Sequence, residues 1–148
     1  VVNVEPFVDS AAVRRTAEDL TGGATPPPPP PAPSGTEVSI AAVTASVAEG
    51  NGGTSPNILQ FRVALAAAAA SAETVSWSLS GGTATAADFS SATSGILSFA
   101  AGETEKIISL SIVGDTVTEV NEAVRVVLSS PSSGLVLGTA AVTATILN

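Results

Sequence analysis

Six consecutive prolines, Pro26 to Pro31, divide this chain into parts that cannot share regular secondary structure across the break. Each proline fixes φ and lacks an N–H, so the run reads as polyproline II, rising about 3.1 Å per residue. With the residues around it, the run makes a semi-rigid linker over 24–35. No basic flank accompanies the prolines, which disfavours an SH3 or WW ligand and favours a spacer. Folding is therefore left to a short arm, 1–23, and a domain, 36–148.

The domain reads as strands throughout. The stretch from Val38 to Val47 is β-branched and alternating, and the turn cluster Glu49-Gly50-Asn51-Gly52-Gly53 follows it. Over Ile58 to Leu65, the residues Leu59, Phe61, Val63 and Leu65 share one face. The segment Thr74 to Ser80 sends Val75, Trp77 and Leu79 inward and hydroxyls outward. Further runs are Ile96–Phe99, Lys106–Val113 (Ile108, Leu110 and Ile112 inward), Ala123–Leu128 (Val124, Val126 and Leu128 inward) and Thr139–Leu147, with Leu135–Leu137 able to pair just before the last. Short strands separated by Gly, Ser, Asn and Asp clusters predict an all-β, seven-stranded antiparallel sandwich. The alanines from Ala66 to Ala70 are too few for a helix, and the expectation there is a strand end and hairpin. Trp77 is expected to anchor the core.

The arm has a different character. Val1 to Glu5 alternates loosely until Pro6, and Asp9 or Ser10 can cap a short helix with Val13, Ala17 and Leu20 on one face. Gly22-Gly23 would end it. Such a helix is marginal alone, and a tail without fixed structure is the competing reading. As a docking segment the arm offers Val2 and Val4 for strand addition, Phe7 as an anchor, and the stripe Val13, Ala17 and Leu20 for a groove.

Composition narrows the functions. Thirteen acids against five bases leave a net charge of −8, which disfavours a phosphate-neutralising, nucleic-acid-binding surface. No apolar stretch approaches the length of a membrane span. His, Cys, Tyr and Met are all absent, which removes Ser-His-Asp and Cys-His catalysis, imidazole or thiolate metal sites, and disulfides. A two-carboxylate glycosidase is formally left, but one Trp in a chain this short offers little sugar cleft. The expectation is a protein that is not an enzyme.

Four ordered blocks carry a resemblance. Glu49-Gly50 follows the first strand; Gly82-Thr83-Ala84-Thr85-Ala86-Ala87-Asp88-Phe89 comes next; then Gly95-Ile96-Leu97-Ser98-Phe99-Ala100-Ala101-Gly102-Glu103. Asp115-Thr116 with Glu119 and Glu122, a Val-Arg-Val-Val-Leu strand and the closing Ile146-Leu147-Asn148 complete the order. Over about residues 38–148 the chain resembles a Calx-beta domain. The resemblance implies a seven-stranded immunoglobulin-like sandwich that binds Ca²⁺ at one end through clustered carboxylates. By position, the implied ligands are Glu49, Asp88, Asp115, Glu119 and Glu122. Hard-oxygen chemistry agrees, because Ca²⁺ takes six to eight oxygens that strand-end loops can bring together. Gly114 stands where the family usually carries another acid, so a smaller ligand set is expected. Against the metal reading, Asp88 and Asp115 can serve as turn-stabilising residues, and Glu119 and Glu122 as a solvated loop.

Two functions follow as expectations. One is a structural display protein at a virion surface or on the outside of a cell. Its arm docks on a large protein assembly (capsid or filament subunits) and its sandwich projects outward. The other is a calcium-binding adhesion module of a larger secreted protein. In either, a surface glycan or a protein receptor is the class of partner left for the sandwich.

Overall fold

The structure, a computed structural model, describes residues 26–30, 34–52 and 57–148. The chain divides into two compact units, 1–32 and 33–148. In the first unit, Pro26 to Pro30 are exposed and carry no hydrogen-bonded secondary structure. The arm, with Val2, Val4, Phe7, Val13, Ala17 and Leu20, lies outside the described residues.

The second unit is an all-β sandwich. Its strands are β1 (Thr36–Ala42), β2 (Ser46–Ala48), β3 (Ile58–Leu65), β4 (Glu73–Leu79), β5 (Ser94–Phe99), β6 (Glu105–Ser111), β7 (Glu122–Ser129), β8 (Leu135–Leu137) and β9 (Ala141–Leu147). A first sheet has the order β6-β3-β1-β8 and a second the order β2-β9-β7-β4-β5. Most neighbours are antiparallel, but the short edge strands β8 and β2 pair parallel with β1 and β9.

The alternating pattern explains the layers. On β3 the inward residues Leu59, Phe61 and Val63 are fully buried, while Gln60 and Arg62 between them are exposed. Trp77 on β4, at 9% exposure, and Phe99 at the end of β5 fill the space between the sheets. Each fully buried large aliphatic or aromatic residue contributes about 1.5–3 kcal/mol, so the β3 and β7 stripes, Leu59, Phe61 and Val63 on one and Val124, Val126 and Leu128 on the other, contribute most.

Three local features differ from the sequence expectation. The first predicted strand is two strands, broken at Val43–Ala45, where the N–H groups of both Val43 and Thr44 donate to the Gln60 carbonyl (2.9 and 3.3 Å). The break carries β2 across to the second sheet, so Glu49 at its end belongs to a different layer from β1. The alanine segment is not a hairpin either, because β3 and β4 lie in different sheets. It is a crossover pinned by Ala69, whose N–H donates to Glu103 and whose carbonyl accepts from Gly102. Finally, β6 stops at Ser111, and Ile112 continues as a single bridge to Phe89.

Candidate metal centre

All five sequence-derived acids sit in loops or at strand ends on one side of the sandwich. Glu49 follows β2, and Asp88 closes a single 3-10 turn, Ala86–Asp88, between β4 and β5. Asp115 and Glu119 belong to the loop after β6, and Glu122 begins β7. A shallow cavity of about 120 Å³ opens here between Glu49–Asn51, Asp115–Thr118 and the chain end Leu147–Asn148.

Backbone packing brings these pieces together. The Glu49 N–H donates to the Leu147 carbonyl at 2.9 Å, which fixes the β2 end against β9. The Val113 N–H donates to the Asp88 carbonyl at 2.9 Å, which ties the turn to the segment leading into Asp115. Gly114 lies directly on the Glu49–Gly50 backbone, where a Cβ would stand 2.5 Å from the Gly50 oxygen and 2.6 Å from the Glu49 oxygen. The residue read from sequence as a missing acid is therefore a point of close approach that only glycine permits.

Two of the carboxylates also serve their own turns. Asp88 Oδ2 accepts from the Thr85 N–H (2.6 Å) and hydroxyl (3.0 Å), the return half of a capping box. Asp115 Oδ1 accepts from the Val117 N–H at 2.6 Å. Each keeps a second oxygen outside these bonds. Glu49, Asp88 and Glu122 are half-buried, whereas Asp115 and Glu119 are exposed.

Electrostatics show that the five acids share one field. Burial raises the Glu49 carboxyl above the ordinary carboxylate range, and the charges of Asp115, Glu119 and Asp88 raise it further, while the Asp115 backbone N–H pulls it down. Glu122 is raised by burial first and then by Asp88, Glu119 and Glu49. No cation answers these charges among the described residues. The ion pairs there are Arg62 with Glu105 and Lys106 with Glu103, and Arg125 donates to the Ser80 carbonyl at 3.2 Å. Neighbouring carboxylates without a positive partner disfavour one another's ionised form, a penalty that an external cation would relieve. The donor set, all hard oxygen, fits calcium. Among the described residues no three acidic side chains are grouped closely enough to hold an ion as they stand, so occupation requires the loops to draw in.

A family model for the Calx-beta domain matches residues 35–148. The chain belongs to the Calx-beta domain family. Comparison with curated proteins finds no match. Among solved structures, this Calx-beta domain is similar to the apo-form Calx CBD1 domain, with 24% identity and a TM-score of 0.61 over 74% of this chain and 96% of the other. It is similar to CBD12 from CALX1.2, with 26% identity and a TM-score of 0.63, over 75% of this chain and 43% of that one. The calcium binding domain CBD12 of CALX1.1 gives 26% identity and a TM-score of 0.59, over 70% of this chain and 41% of that one.

Sequence reasoning missed one residue of the site. Asn57, half-buried just before β3, donates from its side-chain amide to the carbonyls of Ala48 (2.6 Å) and Glu49 (2.8 Å). A lone Asn beside a turn gives no such signal, since the contact depends on where the other sheet passes.

Proposed function

We propose that this Calx-beta domain is a non-catalytic calcium-binding module whose ion sits among Glu49, Asp88, Asp115, Glu119 and Glu122. The observation that carries the reading is the shared field: Glu49 and Glu122 are held above their ordinary range by burial first, and then by neighbouring carboxylates, Asp115, Glu119 and Asp88 for Glu49 and Asp88, Glu119 and Glu49 for Glu122. Membership of the family and likeness to the calcium binding domain CBD12 of CALX1.1 support it. Calcium supplies charge neutralisation and oxygen coordination. The chain's own part is to present loops that repel one another while the carboxylates are ionised and that draw in around the ion once it neutralises them.

Melting of the full chain, followed by Trp77 fluorescence, tests this. Free calcium at a hundred times Kd should stabilise the sandwich by about 2.7 kcal/mol relative to EDTA. Asp115→Asn with Glu119→Gln should remove the gain. Identical melting in calcium and EDTA contradicts the reading.

For its setting we propose stalked display at a virion surface or outside a cell, with residues 1–23 docking on a protein assembly and the prolines as the stalk. The apolar set Val2, Val4, Phe7, Val13, Ala17 and Leu20 supports it. Deleting residues 1–23 should leave a folded sandwich that no longer cosediments with the particle carrying the full chain. Undiminished cosedimentation would move the attachment to the sandwich and favour an adhesion module.

A further inference from the structure

The acids of the candidate centre are supplied by both sheets. Glu49 and Glu122 come from β2 and β7 of the second sheet, and Asp115 follows β6 of the first. Their alignment depends on whatever joins the sheets at this end. The Glu49 N–H is tied only within its own sheet, to Leu147 on β9. Asn57 makes the connection across. Its side-chain amide gives one N–H to each of two successive carbonyls, Ala48 at 2.6 Å and Glu49 at 2.8 Å. Its own backbone carbonyl accepts from the Ile112 N–H at 2.8 Å, extending the β3–β6 ladder by one rung. Two residues beyond Ile112 lies Gly114, seated on the Glu49–Gly50 backbone, and then Asp115. The next N–H, that of Val113, holds Asp88.

We propose that Asn57 is a positioning residue that tethers the Glu49 limb of the second sheet to the Asp115 limb of the first, to which the Asp88 turn is also bonded through Val113, so that the carboxylates face one ion. The proposal rests on the calcium reading above. The chemistry selects an amide. Two carbonyl oxygens must be met by two N–H groups of a neutral side chain, which Asn provides and Asp, an acceptor when ionised, does not. Packing is close as well, since a Cβ on Gly50 would stand 2.9 Å from the same Nδ2.

The test uses the full chain with Asn57→Ala and Asn57→Asp. Calcium affinity is read by titration calorimetry, and metal-free amide exchange by NMR. A tether predicts calcium binding weaker by roughly tenfold or more in both variants, as for other residues that orient metal ligands. It also predicts faster metal-free exchange at Glu49 and Val113, while Leu110 and Val126 in the central ladders keep their protection. Asn57→Asp separates this from simple charge, because an added carboxylate would otherwise tighten calcium binding. Tighter binding in Asn57→Asp, or unchanged affinity in Asn57→Ala even with faster exchange, overturns the proposal. If the wild-type chain takes up no calcium, the functional reading falls, and the exchange comparison alone decides whether the tether exists.

Discussion

Gly114→Ala is the substitution on which sequence and structure disagree most sharply. By family pattern an acid belongs at this position, so a side chain should be harmless and Gly114→Asp should even improve calcium binding. By geometry the added Cβ meets two backbone carbonyl oxygens, at 2.5 and 2.6 Å, and neither can rotate away. Overpacking of this kind costs about 1–3 kcal/mol, and contact with backbone rather than a flexible side-chain end places it in the upper part, about 2–3 kcal/mol. At roughly 5 °C per kcal/mol for a domain of this size, the melting temperature should fall by about 10–15 °C. The cost should appear in EDTA, because it comes from the Glu49–Gly50 contact and not from the ion. Gly114→Asp should be destabilised similarly and bind calcium more weakly than wild type. Melting of Gly114→Ala within about 1 °C of wild type, or tighter calcium binding by Gly114→Asp, would refute this account of the loop.

Charge substitutions should act in opposite directions at the two ends of the sandwich. Glu49 is raised by burial and by like charges, so it destabilises the native state as pH rises through its folded value, and the penalty is absent below the unfolded value near 4.5. Glu49→Gln should therefore raise the metal-free melting temperature at pH 7 but not at pH 4, while abolishing the calcium response. Glu73, only 8% exposed, is lowered by the hydroxyls of Ser132 and Ser71 and by the Gly134 N–H. Its contribution is present above the unfolded value and lost as pH falls through the folded one, so Glu73→Gln should cost stability at pH 7 and progressively less in an acid series of thermal melts.

Much of the fold was legible because period-2 alternation is a local property. Val75, Trp77 and Leu79, or Val124, Val126 and Leu128, announce their strand and its inward face without reference to the rest of the chain. The switch of β2 to the second sheet was not legible. Val43-Thr44-Ala45 contains no Gly or Pro, and the break is made by two N–H groups sharing the Gln60 carbonyl, a partner 16 or more residues away. The site followed the same rule. Its acids were named from their order along the chain, and the structure places them on one side of the sandwich. The residues that seat them were misread or missed, since Gly114 and Asn57 act through backbone atoms of a segment that only the folded sandwich brings near.

The central claim is that the loops carrying these five acids form one calcium site. An NMR titration of the full chain with calcium tests it most directly, with backbone amide shifts as the readout. The account predicts saturable shifts confined to Glu49–Asn51, Asp88 and its turn, and Asp115–Glu122, with Glu73, Glu103 and Glu105 unmoved. Shifts at that second group of acids instead, or no saturable shift at millimolar calcium, would contradict it.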